Sequence, residues 1–176
     1  SVPADGSYGI QIRDNHLRGG EEFVYFLRAE RAEPYFELAL DTDKTWLTPG
    51  NSAALFVRAV RKNGFEGEIA LSVEGLPEGI TAHCGRILAG KGLDGCIVLE
   101  AAADAQLMAS NITVTGTASH QIDEDTTLAL ETVAQAFQET YMPGGGRNHW
   151  PVEMHTVAVG KPADIRSLTL STNEVT

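Results

Sequence analysis

The feature that most constrains this chain is a two-residue alternation of apolar and polar side chains, repeated in short runs between glycine and proline turns. In Ile69-Ala-Leu71-Ser-Val73 and in Ile112-Thr-Val114-Thr-Gly116-Thr117 the bulky apolar residues fall on every second position. A period of two places those side chains on one face of an extended strand. Five such runs, at Ala53 to Val60, Ile69 to Val73, Ile80 to Cys84, Ile97 to Ala101 and Asn111 to Ala118, are divided by turn signals such as Asn63-Gly64 and Leu76-Pro-Glu-Gly79. Strands at this spacing predict an all-β chain folded as an antiparallel β-sandwich. Ile69, Leu71, Val73, Ile97, Leu99, Ile112 and Val114 then point inward, while Thr113, Thr115 and Thr117 face out, the pattern of a sheet buried on one side.

The flanks follow the same logic. Phe36, Leu38 and Leu40 alternate ahead of the Pro49-Gly50 turn, and Val152 to Val159 is a further strand candidate. Near the start, Tyr8, Ile10 and Ile12 share one strand face. Asn15 to Gly20 reads as a turn, and Glu22 to Glu30 carries apolar residues on both faces, as in a strand covered on both sides. Leu128 to Tyr141 fits helical and strand spacing about equally, and its all-β surroundings favour strand; Pro143 to Gly146 is a loop. The layout Leu38-Ala-Leu40-Asp-Thr-Asp43 returns at Leu168-Thr-Leu170-Ser-Thr-Asn173, as though a second module opened there. That separation exceeds the roughly 100 residues of a minimal immunoglobulin-like sandwich, so Gln121 to Val159 is expected to hold an extra hairpin. The expected organisation is therefore a short N-terminal β segment over 1–31, an immunoglobulin-like sandwich over 32–160, and the start of a following module, or a docked strand, over 161–176.

The 176 residues are 43% hydrophobic and 21% charged, enough apolar material for one real core. Thirteen Lys and Arg against 24 Asp and Glu leave a net charge of −11, which opposes the phosphate neutralisation that nucleic-acid binding requires. No run approaches the roughly 18 apolar residues of a membrane span, so membrane insertion is not expected.

The stretch from Ala53 to Thr117 is recognisable. Arg58 and Arg61 stand before Gly64-Phe65, Glu66-Gly67-Glu68 follows, Leu76-Pro77 and Gly79 make a turn, and Ala101 to Ala105 precedes a Thr-rich strand. In these features the chain resembles the immunoglobulin-like modules of large secreted bacterial proteins that follow a pre-peptidase C-terminal domain. Residues 1–31 resemble the closing strands of that preceding module and the connector out of it. The resemblance implies an extracytoplasmic, non-catalytic module of a secreted or cell-surface protein that spaces or presents neighbouring domains, with those domains as its partners. It transfers no catalytic residue.

Candidate chemistry is sparse. The five histidines, at 16, 83, 120, 149 and 155, include no HxH, HxxxH or HExxH pair, the spacings that set two imidazoles on one metal. His149 and His155, flanking Trp150-Pro151, are the only close pair. Asp41 with Asp43, and Asp123-Glu124-Asp125, lack the ligand ladder of a calcium loop and read as solvated turns. The Gly-rich loop ending at Arg147 lacks a phosphate-binding register, and no serine sits in a nucleophile elbow. No cofactor and no catalytic residue is expected. The alternative to scaffolding is carbohydrate binding, with Trp46, Tyr35, Trp150 and Tyr141 as the candidate stacking platform, Trp46, Trp150, His149 and His155 as the candidate ligand surface, and an extracellular protein or glycan as partner. Cys84 and Cys96 bracket an 11-residue segment. Bridged in an oxidising compartment they would add about 3 kcal/mol, and unbridged each serves as a small apolar residue.

Overall fold

The computed structural model describes residues 5–28, 32–90 and 92–161, and the chain divides into two units, residues 1–32 and residues 33–176. In the first unit the expected turn forms. The Asp14 carboxylate accepts the amide N–H groups of His16 (3.0 Å) and Arg18 (3.2 Å), and the Leu17 N–H bonds to the Asp14 carbonyl at 3.0 Å. These bonds, the Arg18 amide foremost, hold the Asp14 carboxyl below its ordinary pKa. The strands expected on either side do not form. Neither Tyr8 to Asp14 nor Glu22 to Arg28 contains a strand, and Ile10, Val24 and Phe26 are exposed. Alternation becomes a strand only when a ladder partner takes up the backbone groups and a second layer covers the apolar face. Neither run pairs with a strand among the described residues.

The second unit is an all-β sandwich. Its strands are β1 (Tyr35–Leu40), β2 (Lys44–Leu47), β3 (Ser52–Lys62), β4 (Ile69–Glu74), β5 (Ile80–Cys84) and β6 (Arg86–Ile87). They continue as β7 (Asp94–Ala101), β8 (Met108–Gln121), β9 (Thr127–Val133), β10 (Gln135–Met142), β11 (Gly146–Val152) and β12 (His155–Val159). One sheet has the order β11-β10-β1-β3-β7-β5 and the other β2-β12-β8-β4-β6, with β9 also paired to β8. Between them lies the core expected from the alternation: Phe36, Leu38, Leu55, Val57, Ile97 and Leu99 from the first sheet meet Ile69, Leu71, Ile112, Val114 and Val157 from the second. Phe65 joins them from the loop after β3, its ring 5.3 Å from that of Phe36. The chain reaches Phe65 through Asn63 (φ 52°) and Gly64 (φ 81°), the two successive left-handed residues of a type I′ turn.

Leu128 to Tyr141 is strand, divided between the two sheets. β9 pairs with β8 from Thr127 to Val133, the Ala134 N–H bonds to the Val114 carbonyl at 2.8 Å, and β10 then joins the other sheet parallel to β1. β10 and β11 pair antiparallel as a hairpin. Three strands were not anticipated. The short, polar β2 and two-residue β6 carry little pattern, and β11 contains a proline.

The path of the chain sets the two ends of the sandwich apart. β1 pairs Tyr35 with Lys62 at the end of β3, so the chain enters there. A tight turn, closed by the Asn51 N–H on the Thr48 carbonyl at 3.0 Å, leads from β2 back into β3 at Ser52, so β2 continues the direction of β1. β12 runs parallel to β2, and the Gly160 N–H bonds to the Leu47 carbonyl. Entry and exit therefore lie at opposite ends of β3, whose 11 residues span about 34 Å at about 3.4 Å per residue.

The bridge considered for Cys84 and Cys96 is not formed; both are free thiols. Cys84 pairs with inward-facing Ile97, whereas Cys96 is the next residue along β7 and faces the other way. Thiols on opposite faces of one sheet cannot meet bonding geometry. Burial pushes the Cys84 thiol above its ordinary pKa. The strand expected at Leu168 lies outside the described residues.

Candidate functional site

Five strands of the first sheet build a cleft on its outer face. Phe36, Leu38 and Leu40 of β1 and Leu55, Val57 and Ala59 of β3 point into the core, so the intervening Ala39, Phe56 and Arg58 face outward. Ala39 pairs with Arg58, and β7 brings Asp94 opposite Arg58. On the other flank β10 contributes Phe137 and β11 His149. With Leu40 and Asp41 these residues line an open cleft of about 260 Å³. Because β1 lies between β10 and β3, the small Ala39 keeps the floor low between the two phenylalanines.

The electrostatics of the rim are nearly balanced. Arg58 Nε donates to Asp94 Oδ1 at 2.8 Å, and this bond holds the guanidinium above its ordinary pKa. Asp41 adds a carboxylate. The side chains of Arg58, Asp94 and His149 are 68%, 51% and 55% exposed, so the rim is wet, whereas acid–base chemistry is tuned by desolvation. The same face continues along the β10–β11 hairpin, where Glu139 opposes His149 and Tyr141 opposes Arg147. Arg147 reaches Glu139 at 3.2 Å and lies 5.4 Å from the Tyr141 ring centroid.

Of the four residues expected to form a ligand surface, only His149 lines this cleft. Trp46 and Trp150 are exposed, but on β2 and β11, edge strands of different sheets. The Trp46 ring lies against Gly160. His155 is 2% exposed and so is no surface residue, which corrects the expectation. Its Nδ1 lies 2.9 Å from the Thr42 carbonyl and its Nε2 2.9 Å from Thr45 Oγ1. Burial lowers its pKa, against the opposing pull of Thr42, Asp43 and Asp41. The imidazole thereby ties β12 to the crossing between β1 and β2.

Phe56, Asp94 and Phe137 were missed as site residues. The available signal was Phe56 itself, a large aromatic on the polar phase of its strand and 53% exposed. Arg58 and Arg61 entered only through the resemblance, and they separate here. Arg58 belongs to the cleft, whereas Arg61 donates to the carbonyls of Gly67 (2.9 Å), Leu88 (2.9 Å) and Gly92 and lies 5.8 Å from the Phe65 ring centroid. It pins two loops together.

The acidic clusters behave as turns. The Asp123 carboxylate accepts the Asp125 N–H at 3.1 Å and, with the Thr126 hydroxyl as the largest influence, titrates below its ordinary value. Among the described residues no three His, Cys, Asp or Glu side chains group as a metal site. No helix among them is long and apolar enough to cross a membrane.

The architecture defines this chain as a two-sheet β-sandwich protein. No family model and no curated protein matches it. Among solved structures it is similar to domains 4 and 5 of the S-layer protein SbsC, at 16% identity over 59% of this chain and 54% of that one, with a TM-score of 0.35. It is also similar to a family 123 glycoside hydrolase from Clostridium perfringens, at 8% identity over 61% of this chain and 28% of that one, with a TM-score of 0.36. The match thus spans about half of the first chain and about a quarter of the second, and at these scores neither carries function across.

Proposed function

We propose that this chain is a non-catalytic spacer and interaction module of a larger secreted or cell-surface bacterial protein. The observation that supports it is the chain path: entry beside Tyr35 and exit beside Val159 lie at opposite ends of the sandwich. A domain threaded end to end holds what precedes and follows it apart by its own length, here about 34 Å along β3. A domain whose termini meet would hang to one side. In this reading residues 1–31 belong to the preceding module and 161–176 lead into the next.

The test has two parts. Spin labels at Glu33 and Lys161, in a Cys84→Ser, Cys96→Ser background, should report a separation of about 30 Å or more, on the same strand geometry; a distance below about 20 Å overturns the spacer reading. Protease added to intact producing cells should cleave the chain, and protection until lysis overturns the placement at the cell surface.

A further inference from the structure

We propose that the outer-face cleft binds a neutral pyranose unit of a glycan, and that the β10–β11 hairpin carries the next units of the same chain. The ligand class follows from what the cleft offers. Phe56 and Phe137 supply apolar ring faces, and Ala39 leaves room between their strands. At the cleft floor Ala39 and Leu40 of β1 are paired with both β10 and β3, and Arg58 of β3 is paired with both β1 and β7. No peptide can therefore add here as a strand, and recognition must use side chains alone.

The polar side chains narrow the choice further. Arg58 and Asp94 already neutralise each other at 2.8 Å, and Asp41 adds a carboxylate, so an anionic ligand meets like charge. Hydroxyl groups both donate and accept, and so can bridge the guanidinium and both carboxylates without breaking the pair. A pyranose ring combines an apolar C–H face with a hydroxyl edge. The volume, about 260 Å³, lies just under the range of roughly 300–1,000 Å³ typical of drug-sized ligands, which suits one sugar ring and not a large rigid molecule.

The face does not end at the cleft. Phe137 and Tyr141 are four residues apart on β10 and so share a face, about 14 Å apart along the strand. Tyr141 is 69% exposed with Arg147 beside it. A chain seated at Phe56 and Phe137 would reach this second platform only after several sugar units.

The experiment titrates the protein with neutral oligosaccharide ladders, from the disaccharide to the hexasaccharide of β-glucan, chitin, xylan and mannan, followed by NMR and calorimetry. At least one ladder should bind saturably, perturb the amide signals of Ala39, Phe56 and Phe137, and tighten with chain length. Phe56→Ala should weaken every length at least tenfold. Tyr141→Ala should weaken only the longer members. Both side chains are exposed, so circular dichroism and the melting midpoint should match the parent. Shifts centred on Trp46 or Trp150, unchanged binding in Phe56→Ala, preference for acidic glycans, or no saturable binding to any ladder would each overturn the proposal. The label-distance measurement is independent of all four outcomes, so the spacer reading stands or falls separately.

Discussion

Replacing Arg61 by alanine should destabilise the sandwich far more than replacing Arg58, although the two lie three positions apart on β3. Arg58 shares one ion pair with Asp94 in which both side chains are more than half exposed. Exposed pairs contribute about 0.2–1 kcal/mol. Arg61 instead donates to three backbone carbonyls, at Gly67, Leu88 and Gly92, on two different loops, and covers the buried Phe65 ring. Hydrogen bonds to a charged group contribute about 1.5–3 kcal/mol each when sheltered. Arg61 is only partly buried, so a discounted value of about 1 kcal/mol each, with the ring contact, gives roughly 3–4 kcal/mol in total. For a domain of this size that corresponds to a midpoint lower by roughly 10 °C. Equilibrium urea unfolding of Arg61→Ala, Arg61→Lys and Arg58→Ala measures the contrast. Lysine carries the charge but lacks the planar fork that reaches three diverging carbonyls, so it should recover less than half of the loss. If Arg61→Ala falls within about 1 kcal/mol of Arg58→Ala, solvent substitutes for the fork and the reasoning fails.

Two further outcomes are expected. Gly116 sits on β8 under the opposite sheet, where an added Cβ would run into the Leu38 side chain and come within 2.9 Å of Ile69; Gly116→Ala should cost about 1–3 kcal/mol in urea unfolding as an overpacked core, and a neutral result would mean that the two sheets separate freely there. His155 is held neutral by burial, so unfolding takes up a proton below the unfolded value of about 6.5. Stability should be full above that pH and fall as pH drops through it toward the lowered folded value, Asp41 and Asp43 softening the loss; denaturant midpoints that fall as steeply between pH 7.5 and 5 in His155→Gln as in the parent would assign the acid sensitivity elsewhere.

The positions along the chain and the facing of the central strands were legible because alternation reports a property of each strand alone. Ile69 and Leu71, Ile97 and Leu99, and Ile112 and Val114 are buried as their spacing demands. The same alternation misled at Tyr8 to Ile12, where the pattern is present but no strand forms among the described residues. β2 shows the converse. Lys44–Leu47 has little pattern and becomes a strand because β12, more than a hundred residues later, supplies its parallel ladder. Cys84 and Cys96 are near in sequence, yet register, not separation, sets them on opposite faces. The cleft is an extreme case of the same kind. Ala39, Phe56, Asp94, Phe137 and His149 come from five strands, and the sheet order alone brings them to one surface. A sequence encodes which face of a strand avoids water, through local periodicity; which strands lie side by side depends on long-range backbone pairing, and that pairing is written in no single segment.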